Sequence, residues 1–253
     1  TLTEDLDLSY RAFLKGWRFR YVVDVAVPGE VPPQLTAYKV QQARWAKGST
    51  QCLLKHAGPL LRSNLNPLQK WMGILHLGQY AIQPFVLLLF LVTPPILLTD
   101  MLSQLPLGPL GIAGLAPPIF MAMGQAALYP DWWRRLLYFP VLILIGTGMM
   151  LSNSRAVFEA LTGRGGNVFK RTPKFRVIER GDRLASTRYA IRPDWTTIGE
   201  LILGAYAVAG LVIALAKLPA MVIYMVVYVL AFGFLSLFSL WQEWSLARHS
   251  AGA

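Results

Sequence analysis

Within the stretch YKVQQARWAKGS, Tyr38 to Ser49, an amide, a guanidinium and an indole fall at i, i+3 and i+4 as Gln41, Arg44 and Trp45. On an α-helix that spacing places all three on one face, a turn apart, so they can act on a single ligand. Taken alone, the same residues also suit an interfacial helix, with an Arg-Trp pair as cation and aromatic anchor at a bilayer surface. Two other short motifs carry reactive groups. TED, Thr3-Glu4-Asp5, reads by itself as a helix start, with Thr3 as N-cap and the carboxylates of Glu4 and Asp5 in the first turn. FKRTPK, Phe169 to Lys174, reads by itself as a basic juxtamembrane loop.

The elements that must position these residues follow from periodicity. Leu6, Tyr10, Phe13 and Leu14 continue the first helix until Gly16 stops it. WRFRYVVDVAV then alternates, with Trp17, Phe19, Tyr21, Val23, Val25 and Val27 on one side, which predicts a strand ending at Pro28-Gly29. A lone strand cannot satisfy its edges, so its expected partners lie in sequence upstream of Thr1. A helix is predicted after Pro32-Pro33, and a second, short one from about Ser49 to His56, before Gly58-Pro59. The chain starts without Met, basic n-region or apolar h-region, so no signal peptide is read and the sequence is expected to be cut from something longer.

Of the 253 residues, 55% are apolar and 12% aromatic, which favours membrane insertion over an ordinary globular core. The single cysteine, Cys52, excludes a disulfide framework. Apolar windows long enough to cross ~30 Å of hydrocarbon are predicted near 72–98, 108–128, 197–216 and 219–242. The stretch 136–151 is shorter, contains Pro140, Gly146 and Gly148, and runs into SNSRAVFEALTGR. If it does not cross, all but Lys217 of the 24 Lys and Arg lie on one side of the membrane, as the positive-inside tendency requires. A re-entrant or interface helix over 136–162 is therefore expected, with four crossings and both chain ends cytoplasmic. The net charge of +11 then reads as cytoplasmic-face charge near anionic lipid, not as nucleic-acid binding.

In their order and setting the three motifs resemble those of processive family 2 glycosyltransferases, the group containing cellulose synthases, glucomannan mannosyltransferases and hyaluronan synthases. That family has a T-E-D, a Q-x-x-R-W on an interface helix, membrane spans and, in cellulose synthases, an F-x-V-T-x-K gating loop. The matching residues are Thr3-Glu4-Asp5, Gln41, Arg44, Trp45 and Phe169, Thr172, Lys174. Arg171 stands where the cellulose gating loop has valine, which favours a glucomannan-like or other β-polymer relative. The resemblance implies a mainly α membrane bundle with interface helices, preceded by the C-terminal remnant of an α/β domain of the GT-A type. Residues 1–70 would close that domain and 71–253 form the membrane region, with a gating-like loop over 163–195.

The resemblance implies an inverting transfer of a hexose from a nucleotide sugar to a β-linked polysaccharide, with its export. Asp5 would be the base, capped and supported by Thr3 and Glu4. Arg44 would stabilise the leaving diphosphate, Trp45 would stack on a sugar ring and Gln41 would meet hydroxyls. Phe169, Thr172 and Lys174 would close over the nucleotide. The family's divalent cation, Mg or Mn, is held by a D-x-D on the N-terminal α/β domain, so none of its ligands is expected in this chain. Asp5-Leu6-Asp7 matches D-x-D in pattern but lies in a first helical turn and overlaps TED, and is rejected as that site.

Other polar residues have structural readings. His76, Gln79, Tyr80 and Gln83 are predicted as one polar stripe on the first span, either for helix–helix hydrogen bonds or for a polymer channel. Cys52 and His56, at i and i+4, supply only two ligands, so a packed or solvated pair is expected rather than zinc. Asp131-Trp132-Trp133-Arg134-Arg135 reads as an interfacial girdle, and Glu159 has no assignable role. A non-processive lipid glycosyltransferase and a translocation module without chemistry are the alternatives.

Overall fold

The computed structural model describes residues 1–22, 25–27, 29–99, 101, 114–166 and 194–251. Among these it is mainly helical and falls into two compact units. One comprises 1–87, 150–196 and 238–253, the other 88–149 and 197–237.

The first unit holds the helices predicted to carry the chemistry. Helix α1, Glu4–Leu14, has Glu4, Asp5 and Asp7 in its first turn, where the helix dipole favours them. Thr3 occupies the N-cap position, but its side chain makes no capping bond. Its hydroxyl instead faces Cys52 Sγ at 3.6 Å, which corrects the expected capping role. Gly16, at φ +90°, ends the helix as predicted: Trp17 N–H reaches Ala12 O at 3.1 Å and Gly16 N–H reaches Phe13 O at 3.0 Å.

The alternating stretch that follows is not a strand in its described part, 17–22 and 25–27. Trp17 is 69% exposed and Tyr21 88%, and no strand pairs with them among the described residues. Alternation supplies a face to bury, but a strand also needs a partner for its backbone.

Helix α2 runs unbroken over Leu35–Arg62, correcting the expectation of two helices. Pro59 lies in its last turn, where it removes one backbone donor, and Leu60 beside it is fully buried against Gly73. Packing thus carries the helix past a local breaker. At the other end Gln242 accepts the Leu35 N–H at 2.9 Å, satisfying a donor that Gln34 leaves uncapped.

Helix α3, Pro67–Leu77, starts with a capping box between Asn66 and Gln69, and α4 spans Ile82–Leu97. The predicted single span 72–98 is therefore two helices, bent by 61° at their junction. The junction has its own hydrogen bonds: Ser49 Oγ donates to Leu77 O at 2.8 Å, replacing the partner that a continuous helix would supply. Tyr80 OH donates to Gln42 Oε1 at 3.0 Å. The predicted polar stripe is split accordingly, with His76 on α3 and Gln79 and Tyr80 in the bend.

The second unit contains α5 (Ala116–Leu128), α6 (Trp132–Leu136) and α7 (Phe139–Gly148). After α7 the chain enters α8, Met150–Thr162, which belongs to the first unit and packs along α2 through Ala43, Ala46, Ala156 and Val157. Helices α9 (Trp195–Lys217) and α10 (Val222–Ala251) are joined by a 3-10 turn, Pro219–Met221. Within the second unit Phe90 meets Tyr206, Tyr228 and Phe232 at ring separations of 5.5, 4.4 and 5.4 Å. Gly148 lets α7 approach Ala231 and Leu235 closely, since a Cβ there would lie 2.8 Å from Ala231 O.

Two helical segments are long and apolar enough to cross a membrane, Trp195–Lys217 and Pro219–Ser245. The count rises to four if each bent pair, α3 with α4 and Trp132–Gly148 with α8, is taken as one span. Exposed Ile198, Ile202, Val212, Ile223, Leu230 and Leu237 give these segments an apolar exterior, which suits contact with lipid. Of the expected span 108–128, residues 108–113 lie outside the described set and α5 accounts for 13 residues.

Candidate functional site

The site is built where α1 lies on α2. A Cβ on Gly48 would sit 2.6 Å from Thr3 Cγ2, 2.7 Å from its Oγ1 and 2.8 Å from its backbone N. Only glycine permits that approach, because the last of these atoms belongs to the main chain. Leu2 N–H donates to Gln51 Oε1 at 2.9 Å, fixing the residues just before α1 to the same stretch of α2. Gly48 is three residues beyond Trp45, about one turn or 5 Å along the helix. The fold thus sets TED beside the turn that follows Gln41, Arg44 and Trp45.

A second anchor lies about one turn further along α1 and two turns further along α2. Asp7 Oδ1 accepts from His56 Nε2 at 2.5 Å, Asp7 Oδ2 accepts from Lys55 Nζ at 2.8 Å, and Arg11 stands 3.8 Å away. The Lys55 hydrogen bond, aided by His56 and opposed by burial, lowers the Asp7 carboxyl from 3.8 to about 2. Because the folded-state value is depressed, the stabilisation is full above the ordinary carboxylate value and lost as pH falls through about 2. Tyr10 packs against His56 with ring centroids 6.1 Å apart, and its OH lies 3.0 Å from His76 Nδ1 and 3.2 Å from Gly73 O. Burial raises the Tyr10 hydroxyl above its ordinary value.

Asp5 and Asp7 have different environments. Asp5 is exposed, and its Oδ1 accepts the Leu6 N–H at 2.8 Å. Glu4 is exposed beside it, whereas Asp7 is buried and engaged. On α2, Gln41 and Arg44 are half-buried and Trp45 is 40% exposed. An accessible carboxylate at a helix N-terminus can take a proton from a hydroxyl, and a nearby guanidinium and indole can hold a phosphate and a ring. Phe169, Thr172 and Lys174 lie outside the described residues.

A polar network joins α2 to α8 behind this face. Lys47, nearly buried, donates to Glu159 Oε2 at 3.1 Å and to the carbonyls of Arg164 and Gly166 at 3.1 and 2.8 Å. Gly163, Gly165 and Gly166 all have positive φ, which lets the loop wrap the ammonium. Arg155 bridges Glu159 at 2.8 Å and Asp194 at 2.9 Å. Burial pushes the Asp194 carboxyl up, but its bonds from Thr196 and the charges of Arg155 and Lys39 outweigh this and hold it below its ordinary value.

Gly48, His56, Lys47 and Glu159 were not singled out as functional by sequence. Gly48 carried a local signal, an isolated glycine within a helical pattern, and His56 one of a different kind, its i, i+4 spacing from Cys52. The divalent cation that the resemblance implies does not fit here. No group of three or more His, Cys, Asp or Glu suited to a metal occurs among the described residues, and Asp7 is held by Lys55 and His56.

The apolar helices define a membrane-associated protein. Residues 1–158 match the family described as glycosyl transferase family group 2, and the chain belongs to it. Glucomannan 4-beta-mannosyltransferase 7 of Arabidopsis thaliana is 43% identical over 72 residues, 28% of this chain and 13% of that protein. Probable glucomannan 4-beta-mannosyltransferase 2 of Oryza sativa subsp. japonica is 37% identical over 93 residues, 36% of this chain and 16% of that protein. The chain therefore spans about a sixth or less of the length of these curated relatives. No solved structure matches.

Proposed function

We propose that this chain carries the acceptor-side part of a membrane-embedded, inverting glycosyltransferase. The enzyme transfers a hexose from a nucleotide-diphosphate sugar to a growing β-linked polysaccharide and couples synthesis to export. The observation that supports this reading is the fit of Thr3 against Gly48, which holds the start of α1, with its exposed Asp5, against the helix that bears Arg44 and Trp45. The relatives' names, glucomannan 4-beta-mannosyltransferases, support a β-linked hexose product.

In this reading Asp5 removes the acceptor hydroxyl proton as the new glycosidic bond forms. Arg44 stabilises charge on the departing diphosphate, Trp45 stacks on the acceptor ring and Gln41 orients its hydroxyls. Phe169, Thr172 and Lys174 close over the nucleotide. Residues 1–70 end an α/β glycosyltransferase domain that supplies the donor pocket and the cation ligands, and the catalytic face and both chain ends are cytoplasmic.

The test is Asp5→Asn in the full-length enzyme. Transfer is expected to be abolished while affinity for the sugar nucleotide stays within about threefold, because a base acts mainly in the transition state. Near-wild-type turnover rejects the assignment. Sizing of the product distinguishes a polymer from a single sugar added to a lipid.

A further inference from the structure

The direction in which Asp5 faces depends on the rotation of α1 about its own axis. Asp5 is two residues from both Thr3 and Asp7, about 200° round the helix from each. Thr3, Asp7 and Tyr10 form the buried face of α1, and Glu4, Asp5 and Leu8 the exposed one. Leu6, Phe13 and Leu14 pack around Cys52, Leu60 and Leu77, but apolar packing is not directional. The bonds of Asp7 are directional. Its two oxygens are gripped separately, one by His56 and one by Lys55, and a charge-assisted pair of this kind fixes orientation as well as distance.

We propose that Asp7 and His56 form a positioning pair for the transfer reaction: they lock the rotation of α1 on α2 and so aim Asp5 at the acceptor. This rests on the reading of Asp5 as the base. His56 is suited to the task because its side chain is 5% exposed, its ring is confined against Tyr10, and its Nε2 is directed at Asp7. The Nε2–H donor is present in the imidazolium and in one neutral tautomer, so the grip needs no change of protonation. The charged groups facing Asp7 are Arg11 on its own helix and Lys55 and His56 on α2.

Two replacements of His56 separate positioning from packing. His56→Gln keeps an N–H donor near the same place, while His56→Leu fills the buried site with apolar volume and has no donor. Both are to be measured in the full-length enzyme in membranes, as kcat per folded molecule, donor KM and pH profile, with Asp5→Asn in parallel. His56→Gln is expected to hold kcat within about threefold of wild type with the same pH profile, and His56→Leu to lose at least about tenfold in kcat with donor KM within about twofold.

Leucine equal to or better than glutamine means that His56 only packs, and overturns the proposal. If the leucine variant does not fold, glutamine decides alone. A folded glutamine variant that loses about a hundredfold, or whose pH profile shifts, gives the imidazole a role beyond donation and also overturns it. Turnover by Asp5→Asn rejects the base. An inactive Asp5→Asn with an unaffected His56→Leu rejects the positioning pair alone.

Discussion

Arg44 and Trp45 are neighbours on one helical face but meet different parts of the proposed reaction, so their variants should fail differently. Arg44→Lys keeps the charge and loses the planar fork, and kcat is expected to fall about tenfold to a hundredfold, ~1.4–2.7 kcal/mol of transition-state stabilisation. Acceptor affinity should change little. Trp45→Ala should weaken acceptor engagement and shorten the polymer while donor hydrolysis by water persists, a split read from product length against nucleotide release. Unchanged product length with impaired membrane insertion would make Trp45 an interfacial anchor instead. The proposed motif residues rest on type and spacing, which are local properties. Their supports were not legible: nothing in Lys47, His56 or Glu159 announces a partner 112 residues away, as for Lys47 and Glu159, or one on another helix. Thr3 was misread for the same reason, since its hydroxyl turns to Cys52 and not to its own helix.

At the scale of elements, the approach of α1 to α2 is set by an absent side chain. Gly48→Ala places a methyl against the Thr3 backbone N at 2.8 Å, so the start of α1 must move away from α2. The helix itself gains, since alanine is favoured over glycine by ~1 kcal/mol in a helix interior. The expected outcome is an intact helix by circular dichroism, donor affinity within about threefold and kcat down at least about tenfold, as misplacement by an ångström can cause. Gly58→Ala is the control on the same helix, because nothing lies within 4 Å of its Cβ, and its turnover should match wild type. Equal activity of the two variants would break the link between helix approach and transfer. The apolar periods of α1, α9 and α10 mark helices, and α10 runs on to Ala251, past the expected span end at 242. The sequence pattern divided α2 at about Ser49 and ended it before Gly58-Pro59, where burial of Leu60 prevails over propensity, and it fused α3 with α4, where Ser49 and Tyr80 hold a bend. The expected strand is not formed over 17–22 and 25–27, where no strand lies beside it among the described residues.

For the whole molecule, length and apolar content identify segments that can cross a bilayer, but charge decides which side their ends face. Trp195–Lys217 and Pro219–Ser245 are separated by a short turn, so a crossing by both puts Lys217 on the face opposite to Asp194 and the end of α10. We infer that 136–151 does not cross, because a crossing there would export the basic stretch from Arg155 to Arg192. Within this chain the single thiol, Cys52, is fully buried, so single-cysteine labelling in sealed vesicles of known orientation can leave it in place. Arg62→Cys and Arg164→Cys, both at exposed positions, should react with an impermeant reagent from the cytoplasmic side, and Lys217→Cys only from the other. Retained polymer synthesis would show that labelling reports a working topology. Labelling of Arg164→Cys together with Lys217→Cys would mean that the segment before α8 spans the bilayer. The loop wrapped around Lys47 would then lie across the membrane from the proposed cytoplasmic donor side, and the proposed closure by Phe169, Thr172 and Lys174 would have to be abandoned.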